Sequence, residues 1–289
     1  MASTIILKRR IKSIRGTRQI TKAMQLVSAS KLRRAQEYAT ASRDYRDLAY
    51  DLLRKLNAME EVERTPLFTK RSIKNRLYVV ITSNTGLAGA YNANVLKMLL
   101  HDIQQDEADH VKSHVIVIGS KGAHFVRRLN SVELLAAYPP FGDHPTANDV
   151  RPILNTVIEQ YKSEAVDDIR LIYTQFNSTV SQQAQDMHLL PAPVLDPAEA
   201  KRVAVSNFEP DVETVVDQAT TRLIEAQLWQ ALLESLASEH AMRMIATKNA
   251  TDNANDLIED YTLELNTARQ AAITQELAEI TGGAEALNG

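Results

Sequence analysis

Along this chain the spacing of apolar residues changes character twice. Ile20, Met24 and Val27, then Tyr38, Ala41, Tyr45, Leu48 and Leu52, recur at alternating three- and four-residue steps, interrupted by Lys31 and Arg34. Such stepping places side chains on one stripe of a helix and predicts a coiled-coil seam. The same step returns near the end through Leu223, Ala226, Gln230, Leu233, Ala237, His240, Met244, Thr247, Thr251, Ala254, Ile258, Tyr261, Leu265, Ala268, Ala272 and Gln275. All nine prolines lie between Pro66 and Pro210, and outside that window the glycines are Gly16, Gly282, Gly283 and Gly289. Nothing interrupts a helix from Asp211 to Thr281, a stretch about 105 Å long at helical rise. A compact domain cannot bury such a helix alone, so the two ends of the chain are expected to pair with each other, antiparallel.

Between the helical ends, short β-branched runs at Leu77–Thr82, Val115–Ile118 and Ile169–Thr174 alternate with helical spacing over Asn92–Gln104 and Thr146–Ser163. This is the pattern of an α/β layer with a mostly parallel sheet. The expected organisation is an N-terminal coiled-coil helix over 1–60, a central α/β (Rossmann-like) domain over 73–207, and a C-terminal coiled-coil helix over 208–287. Two glycine turns follow strands, Gly86-Leu-Ala-Gly-Ala90 and Gly119-Ser-Lys-Gly122. Such turns hold phosphate in some folds. Neither matches the Gly-Lys-Ser/Thr loop or the full dinucleotide fingerprint, which favours tight turns that let a helix pack on the sheet.

The last seam is filled by Ala, Thr, Gln and His where a zipper built only to hold would use Leu and Ile. Residues 247–256, TKNATDNAND, are poor helix formers. Two readings stand: a local break, or a helix whose small and polar surface touches its surroundings weakly.

Composition narrows the chemistry. With no cysteine there is no disulfide framework, thiolate metal site or thiol nucleophile. No apolar run approaches the roughly 18 residues needed to cross a bilayer, so a soluble chain is expected. Net charge is −3, yet ten basic residues and no acidic one lie between Lys8 and Arg34, which predicts an anionic neighbour. Nucleic acid is one candidate, but no aromatic residue precedes Tyr38 in this stretch to stack on bases. A targeting peptide is another, but the pattern outlasts a removable segment. His110 and His114 sit where a loop enters a strand, which spoils their metal-ligating spacing. Asp167 and Asp168 point to opposite faces of any strand they enter. No catalytic machinery and no cofactor site is expected.

Ile273-Thr-Gln-Glu276, Glu279 and Gly283-Ala284 resemble the C-terminal signature of the gamma subunit of F-type ATP synthases, and Ile20-Thr-Lys-Ala-Met-Gln-Leu-Val-Ser-Ala-Ser-Lys31 resembles its N-terminal block. Gly86-Leu-Ala-Gly89 with Asn92, Ile118-Gly-Ser-Lys-Gly122 and Ala250-Thr-Asp-Asn253 extend the likeness along the whole chain. Ala90 stands where a glycine is usual. The resemblance implies the central rotor shaft of a proton-translocating ATP synthase, a non-catalytic subunit of an enzyme complex. Its partners would be the alpha and beta subunits of the catalytic ring, the epsilon subunit and the c-subunit ring. Lys22, Met24, Arg243, Arg269, Gln270, Thr274 and Glu276 would face the alpha/beta ring. Asn207, Phe208 and Glu209 would meet the c ring. Lacking cysteine and a long insert before Pro210, the chain resembles the bacterial version, peripheral at the cytoplasmic face of the inner membrane, rather than the thiol-regulated chloroplast one. A nucleotide-binding enzyme and a nucleic-acid-binding protein are the alternatives.

Overall fold

The computed structural model describes residues 4–56, 65–139, 141–142, 145–192 and 212–288. In chain order the elements are α1 (Thr4–Leu56), β1 (Asn75–Ile81), α2 (Tyr91–Ala108), β2 (Lys112–Ile118), α3 (Ser120–Val126), β3 (Glu133–Tyr138), α4 (Ala147–Lys162), β4 (Asp168–Ser178), β5 (Ser181–Leu190) and α5 (Val212–Asn288). The described chain forms two compact units, residues 1–28 with 243–289, and residues 29–242. The boundary passes through α1 and α5. The fold is α/β, with long antiparallel terminal helices and a mostly parallel sheet.

The larger unit is built on that sheet, ordered β3-β2-β1-β4-β5. β1 pairs in parallel with β2 and β4, β2 pairs in parallel with β3, and β5 runs antiparallel to β4. The strand interiors are apolar on both faces because helices cover both. Leu77, Val79, Ile81, Ile116, Ile118, Ile169 and Leu171 pack with Val150, Ile153, Leu154 and Val157 of α4 and with Val216, Leu223, Ile224, Leu228 and Leu232 of α5. On the opposite face Tyr78, Val80, Val115, Val117 and Ile172 meet Val95, Leu99 and Ile103 of α2 and Ala123 and Val126 of α3. Each large aliphatic residue so buried contributes roughly 1.5–3 kcal/mol.

The expected strands and helices all form. Two strands and a helix go beyond expectation, each for a physical reason. β3 is an edge strand of sequence ELLAAY, only half-buried. β5, SQQAQDMHLL, is the other edge and is polar over most of its length. Side chains left part-exposed at a sheet edge need not be apolar, so these strands carry no strong apolar run. The third, α3, is only seven residues long and leaves little periodicity to read.

Near the start of β1 and β4 lies a buried charge network. Arg76 pairs with Asp106 of α2 and, at 2.6 Å, with Asp168 of β4. Asp106 also accepts hydrogen bonds from Tyr78 Oη at 2.8 Å and Ser113 Oγ at 2.9 Å. Asp168 further meets Arg170 at 3.2 Å and His188 Nε2 at 2.9 Å. Five elements, β1, α2, β2, β4 and β5, are thereby joined around the Arg76 guanidinium and two carboxylates. Burial pushes the Asp168 carboxyl upward, but His188 and Arg76 more than offset it and hold the group below its usual range. Asp102 goes the other way: burial, reinforced by the charge of Asp186, raises it, and its Oδ2 is buried without a hydrogen bond.

The turn after β2 is held by Thr82. Its Oγ1 donates to the Ile118 carbonyl at 3.0 Å and accepts from the Gly122 N–H at 3.0 Å. Gly119 has φ +100, and a Cβ there would lie 2.1 Å from the Thr82 carbonyl oxygen. Backbone conformation and space both demand glycine.

Gly119→Ala should therefore lower stability by about 3 kcal/mol or more, as measured by guanidinium unfolding. Asp168 and Asp102 should respond to pH with opposite signs. The folded pKa of Asp168 is depressed, so its contribution is present above the unfolded pKa and disappears as pH falls through the folded one. Asp168→Asn should cost about 3 kcal/mol at neutral pH, less in acid. Asp102 has a raised folded pKa, so its contribution is present below the unfolded pKa and is lost as pH rises through the folded one. Asp102→Asn should stabilise at neutral pH by up to about 1 kcal/mol, the gain vanishing in acid.

Candidate functional site

In the smaller unit the first turns of α1 lie against the later half of α5. Arg10 reaches the Tyr261 hydroxyl at 3.5 Å and lies over its ring, Arg18 donates to Asn255 Oδ1 at 3.3 Å, and the hydroxyls of Thr21 and Thr251 are 2.8 Å apart. As numbers rise on one helix they fall on the other, so the pairing is antiparallel. Leu7, Ile11, Thr21 and Ser28 of α1 are buried, as are Thr247, Thr251 and Ala254 of α5. Residues 247–256 are helical throughout, which decides between the two readings of that stretch. Its polar groups find partners: Thr247 Oγ1 donates to the Arg243 carbonyl at 2.7 Å, and Thr251 Oγ1 to that of Thr247 at 2.8 Å.

The seam expected on α1 is corrected by one position. Ile20 and Val27 are 63% and 55% exposed. The buried stripe instead runs through Thr21 and Ser28 here and, in the larger unit, through Leu32, Ala35, Ala39 and Ser42. In that unit Ser42 donates to Gln230 of α5. Leu48 is exposed too, while the side chains of Tyr45 and Leu52 lie outside those described. The error has a simple cause. The buried stripe mixes Leu7, Ile11 and Leu32 with the small residues Thr21, Ser28, Ala35, Ala39 and Ser42, so bulk alone does not mark it; a one-residue shift turns a side chain by about 100°. On α5 the expected stepping holds as far as Ala268 and fails at Ala272 and Gln275, both exposed. The described part of α1 begins at Thr4, so among the described residues none of α1 lies opposite α5 beyond about this level.

The candidate contact residues divide between two levels. Lys22 is exposed and Met24 half-buried, at the level of Thr251. Arg269, Gln270, Thr274 and Glu276 are exposed on the far end of α5, about 27 to 38 Å further along the helix axis from Thr251. Arg243, expected to face outward, is 6% exposed and belongs to the packed part of its own chain. Asn207, Phe208 and Glu209 lie outside the described residues. Sequence reasoning missed Ile273, Leu277 and Ile280, all exposed on the far end. Their four- and three-residue spacing marks one stripe, and that spacing was the available signal.

The glycine turn after β2 is occupied by its own chain. Gly119 N–H donates to the Tyr138 carbonyl, Ser120 N–H to Asn84 Oδ1, Lys121 N–H to the Ser83 carbonyl, and Gly122 N–H to Thr82. A phosphate would find none of these donors free, so the geometry supports a tight turn and not a nucleotide cradle.

A family model described as ATP synthase matches residues 3–287. The ATP synthase gamma chain of Herpetosiphon aurantiacus is 41% identical over 296 residues, covering 100% of both chains. That of Moorella thermoacetica is 38% identical over 287 residues, covering 99% of this chain and 100% of its own. The chain belongs to the ATP synthase gamma chain family. Among solved structures, the Euglena gracilis mitochondrial ATP synthase (OSCP/F1/c-ring, rotational state 3) contains a similar chain with TM-score 0.71 at 19% identity, covering 99% of this chain and 94% of that one. The central stalk and c-ring structure of the Tetrahymena thermophila mitochondrial enzyme gives TM-score 0.64 at 23% identity, covering 80% and 99%. These likenesses are of fold, and membership of the family gives the paired helices their context.

The Thr21–Thr251 contact allows a direct test of how the pairing is held. Thr21→Val or Thr251→Val alone should each cost about 1 kcal/mol, and the double variant should cost less than the sum. A double-mutant cycle by chemical unfolding measures the difference.

Proposed function

We propose that this chain is the central rotor shaft of a proton-translocating ATP synthase, coupling rotation of a c-subunit ring to conformational cycling of alpha/beta catalytic sites. Segments 1–60 and 208–287 would form the shaft. Segment 73–207 would form the foot, with the epsilon subunit beside it and Asn207, Phe208 and Glu209 against the c ring. The observation that carries this reading is the far end of α5, exposed throughout residues 269–284 yet bearing Ile273, Leu277 and Ile280, in a chain whose residues 3–287 match the family.

A single asymmetric element inside a ring of repeated subunits presents a different side to each, so its angle selects which site is open or closed. A strong contact at one angle would trap the rotor there, because populations follow energy differences exponentially. The exposed polar positions Lys22, Arg269, Gln270, Thr274 and Glu276, with half-buried Met24, suit weak and exchangeable contact with the alpha/beta ring. Buried Arg243 is left out of that surface. The basic run from Lys8 to Arg34 would meet acidic groups of the ring, where charge complementarity guides docking. Chemistry would belong to the alpha/beta sites and not to this chain. The assembly would lie at the cytoplasmic face of a bacterial inner membrane, with this chain peripheral.

Co-purification with alpha and beta subunits, followed by an ATPase assay and single-molecule observation of a bead on this chain, tests the proposal. The chain alone should turn over no ATP, and in the complex the bead should turn persistently in one sense during hydrolysis. A chain that fails to co-purify, or one that stays still while the ring hydrolyses ATP, would overturn it.

A further inference from the structure

Trp229, the only tryptophan of the sequence, lines a cavity of about 440 Å³ in the larger unit. Among the described residues, Tyr38, Ala41 and Ser42 of α1, Ala147 and Arg151 of α4, and Arg222 and Glu225 of α5 also line it. The volume falls in the ordinary range for small-molecule sites, roughly 300–1,000 Å³. Two aromatic rings and two alanines supply half of the described lining residues, and the charged ones converge. Glu225, with its side chain 5% exposed, accepts from Arg222 at 2.6 Å and faces Arg151 Nε at 3.6 Å. A second cavity shares Arg151, Arg222 and Glu225, so these three side chains border both.

Arg151 is the group with capacity to spare. At 3.6 Å its contact with Glu225 is an ion pair but too long for a hydrogen bond. Its planar set of N–H donors suits a carboxylate. Glu225 limits what it accepts, because a doubly charged group beside that buried carboxylate would be repelled. Trp229 and Tyr38 favour a flat ring over an aliphatic chain.

We propose that this cavity binds a small aromatic monocarboxylate, its ring against Trp229 and Tyr38 and its carboxylate on Arg151. The site is independent of the rotor reading and of the paired helices of the smaller unit.

The test uses the full chain and 4-biphenylacetate as probe, with its uncharged amide as the matched control. Trp229 emission, excited at the red edge where tyrosine does not contribute, reads the cavity directly, and calorimetry gives the affinity. The acid should shift the emission saturably with one-to-one stoichiometry. The amide, and the acid with the Arg151→Gln variant, should each bind about tenfold more weakly. Arg151 is more than half exposed, so the variant should keep the thermal unfolding of the native chain; should it fail to fold, the acid and amide on the native chain decide alone. No saturable emission change, or equal affinity for acid and amide, overturns the proposal. So does undiminished binding by a folded Arg151→Gln variant.

Discussion

Burial of one stripe of mostly small side chains, with Leu7, Ile11 and Leu32 among them, is the constraint on which the terminal helices depend. Ser28, Thr247, Thr251 and Ala254 are buried in the smaller unit, and Ala35, Ala39 and Ser42 in the larger. A leucine seam would gain more from burial but would hold the backbones farther apart. The small seam relies instead on hydroxyls that satisfy themselves on their own helix or on the partner, as Thr21 and Thr251 do. Such a seam releases bulkier apolar residues, among them Ile20, Leu26 and Val27, to the outside. It also explains how a stretch as polar as TKNATDNAND stays helical, since tertiary contact overrides weak propensity.

The sheet unit solves a different problem. Its parallel core is apolar on both faces, as a sheet covered by helices must be, while the start of β1 and β4 carries Arg76, Asp106 and Asp168 out of water. Charges there are tolerable only because every one has an opposite partner. Asp106 is the clearest case, with Arg76, Tyr78 and Ser113 all on its two oxygens. The same economy appears at the turn after β2, where four successive N–H groups are taken by the chain itself. A loop that closes on itself in this way packs a helix against a sheet and leaves nothing over for an anion.

Much of this was legible in the residues. Runs such as LYVVIT and the three-four stepping of α5 carry enough apolar periodicity to mark the central strands and the long helix. The confinement of proline to the middle of the chain marked where the helices begin and end. What escaped was set by tertiary context. β5 is polar where its side chains stand only part-buried, and the α1 seam runs one residue away from Ile20 and Val27, through Thr21 and Ser28. The burial of Arg243 was equally hidden, since its sequence neighbourhood differs little from that of exposed Arg269. The cavity at Trp229 gathers residues from three helices far apart in sequence, and no local pattern announces it.

The end of α5 differs in kind from the rest. Residues 269–284 are exposed, and no described residue of α1 lies opposite them. Their winding continues a helix that is already formed, so each further turn needs no new nucleus. What these turns lack is burial: Ile273, Leu277 and Ile280 stand in water, and a neighbour that covered them would gain apolar contact without first having to build the helix.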